Sequence, residues 1–453
     1  MNIHFISIGG SVMHQLAIAL KRKGYNITGS DDEIFDPAKT NLLNEDLLPK
    51  EFGWFSDKIN SLLDVVVLGM HAKGDNPELI KARQLGLKIF SFPEIIYQES
   101  INKKRIAIGG SHGKTTVTAM LMHVFSKCLN SFDYLVGARL KGFEQSVQIT
   151  DAPVIVCEAD EYPASALMPK PKFHFLYPHI AVLTGLAWDH INVFPTFENY
   201  LEQFVIFINK IEPNGVLIYN ETDQTLKDLV ENNRRTDIRY VPYGLPLYRV
   251  EDDNTFIEIG GHTTELHVFG THNLLNLHAA YFVCKEIGIT DKEFVKNIGE
   301  FAGAAKRLEL LAKKDKTNVY SDFAHAPSKV KATISAVKEQ FPSRRLIAVL
   351  ELHTYSSLNE HFMMQYNQAM KLADVAVVFY SKHALELKRM PPLPETAVVK
   401  GFDKPGLKVF TDKNTLADFL LNQDYSNTNL LLMSSGNYDG TNVAALAKQV
   451  VSK

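Results

Sequence analysis

The sequence predicts an α/β protein built on doubly wound parallel sheets, and three observations lead there. Apolar runs of strand length alternate with segments whose apolar residues recur at helical spacing. Glycine turns stand where such runs hand over to helices, at Gly9-Gly10 and at Gly110-Ser111-His112-Gly113. The 453 residues leave room for about three domains, and 45% apolar with 22% charged residues is the balance of an ordinary globular chain.

The first strand is expected over residues 3–8, followed by a helix through Met13, Leu16, Ala17 and Leu20 and a second strand over 25–28 that ends in Gly29-Ser30-Asp31-Asp32. Residues 64–68 and 87–90 continue the alternation, so the first domain is expected to close near the basic stretch 102–105. A dinucleotide fingerprint would need G-x-G-x-x-G after the first strand, whereas Ser11, Val12 and Met13 follow Gly9-Gly10. That weakens a nicotinamide oxidoreductase. There remains a glycine turn at a helix N-terminus that can hold a pyrophosphate through Gly9, Gly10 and Ser11, with Asp31 or Asp32 placed for a ribose or base. A plain structural turn is the alternative.

The second segment carries the strongest signal. Gly110-Ser111-His112-Gly113-Lys114-Thr115-Thr116 follows the apolar run 106–108 and precedes a helical pattern over 117–125. Glycines let backbone N–H groups approach phosphate, Lys114 can reach the outer phosphates, and the Thr115 hydroxyl can hold Mg²⁺. A strict phosphate loop would also need glycine at 108, where Ile108 stands. The strand over 154–157 delivers Glu158-Ala159-Asp160-Glu161 at its carboxyl end, where Glu158 is a candidate Mg²⁺ ligand. The strand over 180–184 leads to Gly185-Leu186-Ala187-Trp188-Asp189-His190, and His190 beside a phosphate loop becomes a candidate at the metal or the transferred phosphate. A long amphipathic helix is expected over 197–211.

After Arg307 the alternation restarts: strands over 318–321, 346–350, 375–380, 408–410 and 430–433, with helices over 327–341, near 358–373 and over 441–451. A second doubly wound domain is expected, with the breaker cluster 390–394 as a loop. The net charge of −3 and the short basic clusters, Lys103-Lys104-Arg105 and Lys313-Lys314 with Lys316, read as solvated loops and give no nucleic-acid track. Three widely spaced cysteines without a CxxC pair argue against disulfides and structural zinc and for a reducing cytoplasm. No segment approaches the roughly 18 apolar residues of a membrane span, so no membrane partner is expected.

The phosphate loop, the 158–161 cluster and Asp189-His190, in that order and spacing, resemble the Mur ligases of peptidoglycan metabolism over essentially the whole chain. Gly270-Thr271-His272-Asn273-Leu274-Leu275-Asn276 resembles the family's adenine-side motif, Lys306-Arg307 its basic pair before the last domain, and Asp322-Phe323-Ala324-His325-Ala326-Pro327 the opening of that domain. The resemblance implies a UDP-N-acetylmuramate domain over 1–104, an ATP-binding domain over 105–304, and a domain over 305–453 that closes over ATP and the amine acceptor. It implies ATP and Mg²⁺ as cofactors. It also implies the reaction, in which ATP phosphorylates a carboxylate and an amine attacks the acyl phosphate. Carried over by residue, Gly110 to Thr116 hold ATP, Thr115 and Glu158 bind magnesium, and His190 supports a second magnesium. Asn273 and Asn276 face adenine, Arg307 reaches the phosphates, Asp322 meets the ribose, and His325 lies toward the acceptor. Gln203-Phe204 stand where some branches carry a carbamylated lysine, which argues against a carbamate. The opening residues 4–10 point to the branch acting on UDP-N-acetylmuramate itself. Val12 in place of a further glycine, Glu351-Leu352-His353-Thr354-Tyr355-Ser356-Ser357 without the expected arginine, and Phe323 after Asp322 favour the tripeptide L-alanyl-γ-D-glutamyl-meso-diaminopimelate as acceptor. L-alanine as acceptor is the alternative, and a non-catalytic nucleotide-responsive protein is the alternative of another class.

Overall fold

The computed structural model describes residues 1–452 apart from 71, 138, 139, 141, 166, 189–192 and 304–306. The chain divides into two compact units, residues 1–246 with 275–298, and residues 247–274 with 299–453.

The first unit holds two parallel sheets. The smaller has the strand order Asn26–Ser30, Asn2–Ile6, Val65–Leu68, Lys88–Ser91. Val65–Leu68 is buried at every position, the unbroken apolar run that a parallel strand covered on both faces requires. The larger sheet runs Arg239–Tyr243, Val216–Asn220, Ile180–Leu183, Lys104–Gly109, Val154–Glu158, Asp133–Leu135, Val147–Gln148, parallel except for the last pair. Register sets Ile108 beside Glu158 and Gly109 beside Leu183, so three strand ends quoted separately from the sequence become neighbours. Helix Phe197–Asn209 buries Phe204 and Phe207, whose rings lie 5.4 and 4.8 Å from Phe173. The expected solvated loop at 103–105 is corrected here. Lys103 and Arg105 are buried at 8% and 5% exposure, Lys103 against Asp133 and Arg105 on Glu212 at 2.6 Å. A buried cation needs such a partner, and 30 and 107 residues of chain separate each pair.

The second unit pairs a three-stranded antiparallel sheet, Leu247–Glu251, Asn254–Ile259 and His262–Leu266, with a six-stranded sheet. The hairpin between its second and third strands turns on Gly260 and Gly261, both at positive φ. The larger sheet runs Glu309–Lys314, Thr317–Asp322, Thr428–Met433, Arg345–Glu351, Val375–Phe379, Lys408–Phe410, parallel except for the first strand, an antiparallel edge that the sequence reading did not include. Alternation along Arg345–Glu351 sends Leu346, Ala348 and Leu350 into one core and Ile347 and Val349 into another. The helix expected near 358–373 is instead a 3₁₀ segment, Glu360–Tyr366. Buried Met363 and Tyr366 stand three apart, the spacing that keeps one face in a 3₁₀ turn, and Gln368 at φ 59° stops any continuation. The cysteines are free, and among the described residues no helix is long and apolar enough to cross a membrane.

Candidate active site

In the first unit, strand Lys104–Gly109 ends at Gly110, φ 123°, and Gly113, φ 83°, caps helix Lys114–Cys128. Both positions need glycine. A Cβ on Gly110 would collide with the Thr184 hydroxyl and one on Gly113 with the Asn276 amide oxygen. Thr184 donates to Gly109 O at 3.1 Å and to His112 O, so a neighbouring strand end clamps the loop. Ser111 is fixed from three sides: N–H on Gly185 O at 2.9 Å, hydroxyl 2.8 Å from Tyr200 OH, and the same oxygen accepting Ala187 N–H at 2.8 Å. His112 lays Nδ1 on Ser111 O, and Thr116 is buried one turn into the helix region.

Lys114 Nζ reaches back to Gly110 O at 2.5 Å and pairs with Glu161 Oε2 at 2.7 Å. Burial works against this charge, but the carboxylates of Glu161, Glu158 and Asp160 outweigh it and hold the ammonium above its ordinary range. Next door, Thr115 Oγ1 donates to Glu158 Oε1 at 2.7 Å, while Gly137 N–H donates to Glu158 Oε2 at 2.9 Å. A hydroxyl and a carboxylate at a phosphate loop form a hard-oxygen set of the kind Mg²⁺ takes with phosphate and water. Among the described residues no three His, Cys, Asp or Glu side chains converge on one point. Asp189 and His190 lie outside the described residues.

The glycine turn of the smaller sheet forms a second feature of this unit. Gly9 N–H donates to Asp31 Oδ2 at 2.7 Å and Asp32 N–H to Oδ1 at 3.1 Å. Burial first, then neighbouring Asp32, pushes the Asp31 carboxyl up to about 6. Gly9, Gly10, Ser11 and Asp31 line one cavity of about 640 Å³, which also reaches Gly137 and Ser146. Gly137 therefore borders the cavity and holds Glu158 at once.

In the second unit, Asp322 is a buried hub whose oxygens accept Leu308 N–H and Ala324 N–H, each at 2.7 Å. Arg307 lies 5.0 Å from the Phe323 ring centroid, and His325 rests Nδ1 on Phe323 O at 2.9 Å. Asn273 is buried with its amide N–H on Phe269 O at 2.9 Å. Burial lowers the His272 pKa, the nearby Asp322 charge opposing it. Sequence reasoning missed Glu161, Thr184 and Gly137 as site builders. Glu161 was in view inside the acidic cluster, but the other two are reached only through sheet register.

Family models match three stretches: "Mur ligase family, catalytic domain" over 2–103, "Mur ligase middle domain" over 108–284, and "Mur ligase, glutamate ligase domain" over 306–436. The UDP-N-acetylmuramate–L-alanine ligase of Persephonella marina is 32% identical over 392 residues, covering 83% of this chain and 81% of that protein. That of a Sulfurihydrogenibium species is 32% identical over 390 residues, covering 83% and 82%. Among solved structures, a murein peptide ligase of Psychrobacter arcticus aligns at TM-score 0.63 with 21% identity over 100% of this chain and 99% of that one. The UDP-N-acetylmuramate-alanine ligase of Thermotoga maritima aligns at TM-score 0.67 with 20% identity over 100% and 98%.

Proposed function

The chain belongs to the Mur ligase family, with its three-domain architecture and ATP-dependent amide chemistry, and from that premise we propose that it joins L-alanyl-γ-D-glutamyl-meso-diaminopimelate to UDP-N-acetylmuramate. The observation that carries the donor half is Gly137. One cavity runs from the Gly9 turn to this residue, whose N–H holds the carboxylate beside Thr115. A UDP-sugar with its diphosphate at the glycine turn would present its carboxylate toward the phosphate loop. A carboxylate is a poor acylating agent at neutral pH, and phosphorylation gives it a leaving group. Lys114 neutralises charge on the transferred phosphate, and Thr115 and Glu158 are the residues that would hold Mg²⁺. The ion, when bound, draws charge from the phosphate oxygens that would repel the incoming carboxylate. His190, Arg307, Asn273, Asn276, Asp322 and His325 keep the roles the family resemblance assigns them. We place the reaction in the cytoplasm, where ATP is made.

The acceptor half rests on the segment 351–359, which offers no arginine for a lone amino-acid carboxylate. The competing reading, L-alanine as acceptor, draws on the curated relatives, named as L-alanine ligases. Comparing kcat/KM for the two acceptors at saturating ATP and magnesium tests it. A tripeptide site should discriminate by several powers of ten, because free alanine leaves charged partners unmet. Preference for L-alanine overturns the acceptor assignment and leaves the ligase chemistry standing.

A further inference from the structure

The parallel sheet of the second unit reverses its growth at the centre. From Thr317–Asp322 the chain crosses to Arg345–Glu351 and continues outward through Val375–Phe379 and Lys408–Phe410. Thr428–Met433 then returns to fill the gap between the first two. At such a switch the loops beyond the carboxyl ends diverge and open a crevice that α/β sheets use for ligands. Asp322, Ser434 and Glu351 stand at those three ends, with Ser434 N–H on Asp322 O at 2.9 Å.

Glu351 is 1% exposed. Its Oε2 accepts the Ser434 hydroxyl and the Tyr438 N–H, the latter at 2.9 Å, and Gly436 N–H donates to Ser434 Oγ at 2.7 Å. The carboxylate thus ties the 434–438 turn to the end of its own strand. Its Oε1 faces Nδ1 of His353 at 3.8 Å. Glycine at 436 makes room for that ring, since a Cβ there would stand 2.7 Å from His353 Cγ and Nδ1 and 2.9 Å from Glu351 Oε2. The imidazole is clamped between a buried carboxylate and bare backbone, yet 34% of it stays exposed. Among the described residues, neither of its ring nitrogens has a hydrogen bond. His325, by contrast, rests Nδ1 on a backbone carbonyl.

We propose that His353, oriented by Glu351, is the general base that takes a proton from the acceptor's ammonium. The inference rests on the amide-ligase reading, in which the Gly9 cavity and the phosphate loop serve the other two substrates and the amine remains to be placed. At neutral pH an acceptor amine is protonated and carries no free electron pair. A His353 nitrogen removes one proton from R–NH₃⁺. The freed pair attacks the carbonyl carbon of the acyl phosphate, the C–N bond forms, and the C–O bond to phosphate breaks. Phosphate leaves with that electron pair and takes the second proton from nitrogen, while the imidazolium returns its proton to water. The Glu351 carboxylate, itself held by Ser434 and Tyr438, stands behind the ring and faces its Nδ1.

The test compares two nucleophiles on the full chain with ATP, magnesium and UDP-N-acetylmuramate. The tripeptide must be deprotonated, whereas hydroxylamine is largely neutral at pH 7 and needs no base. His353→Asn is expected to lower kcat for peptide ligation on the order of 10²–10⁴-fold while hydroxamate formation holds within about threefold. Glu351→Gln should lower peptide ligation less, and should add little on top of His353→Asn if the two act as a unit. If Glu351→Gln fails to fold, the His353→Asn pair of rates decides alone. Equal losses with both nucleophiles, or unimpaired peptide ligation by His353→Asn, overturns the proposal. Absence of hydroxamate from the unaltered chain overturns the donor assignment, and this inference with it.

Discussion

Two residues repay separate attention because burial changes what their loss would do. In sequence Lys114 looks like a solvent-edge lysine, but it pairs with Glu161, which is 1% exposed, so removing the ammonium breaks an ion pair with a buried carboxylate. Lys114→Ala should therefore cost turnover on the order of 10²–10³-fold. It should also cost about 3 kcal/mol of stability, the usual penalty for breaking a buried pair from one side. Adding Glu161→Gln should restore most of the stability and none of the activity, which denaturant unfolding and turnover of the single and double variants would show. Asp31 makes the opposite case. Its carboxyl, pushed from 3.8 to about 6, binds its proton more tightly in the folded chain than in the unfolded one. Its contribution to stability is then greatest below pH 4, declines as pH rises toward 6, and levels off above it. The conversion of 1.36 kcal/mol per pH unit puts the decline on the order of 2–3 kcal/mol. Asp31→Asn should flatten that part of the pH–stability curve, and a curve unchanged by the substitution would remove Asp31 as its cause.

Elements explain how much of the site was legible in the sequence. Strand ends were readable because apolar runs stop abruptly at Gly9, Gly110, Glu158 and Gly185. Their adjacency was not, since it follows from the register that sets Ile108 beside Glu158 and Gly109 beside Leu183. The same limit hid the partners of Lys103 and Arg105, which lie far along the chain and have no periodicity to announce them. The 3₁₀ segment Glu360–Tyr366 shows a different failure, in which three-residue and 3.6-residue spacings look alike over two turns. At the phosphate loop the helix start itself can be tested. Gly113→Ala puts a methyl against Asn276 at a left-handed backbone position. Strain of about 1–3 kcal/mol should raise KM for ATP roughly tenfold or more. Asn276→Ala should relieve the collision but not the backbone strain, and because it also removes an adenine-facing amide the readout is denaturant unfolding: the double variant should recover only part of the stability lost by Gly113→Ala. Full recovery would show that φ is not limiting.

At the scale of the whole chain, nucleotide should stabilise the phosphate-loop strand and helix most. If ATP binds the phosphate loop, a hundredfold excess over its Kd adds about 2.7 kcal/mol to the state that binds it. Hydrogen exchange should then slow across helix Lys114–Cys128 and strand Lys104–Gly109, and uniform protection of both units would speak against a site centred on this loop. The first unit also has a peculiarity of composition, for residues 275–298 belong to it although 247–274 belong to the other. His123 Nε2 meets Asn297 O at 2.9 Å, and Asn297 Nδ2 meets Cys128 Sγ at 3.2 Å, so the phosphate-loop helix is braced by chain that arrives more than 150 residues after it. A ribosome making this protein from its N-terminus thus exposes an unfinished nucleotide domain until residue 298 has cleared the exit tunnel. A stalled nascent chain ending at 246 should stay open to protease around the loop, and the interval before completion is the window in which chaperones would be needed.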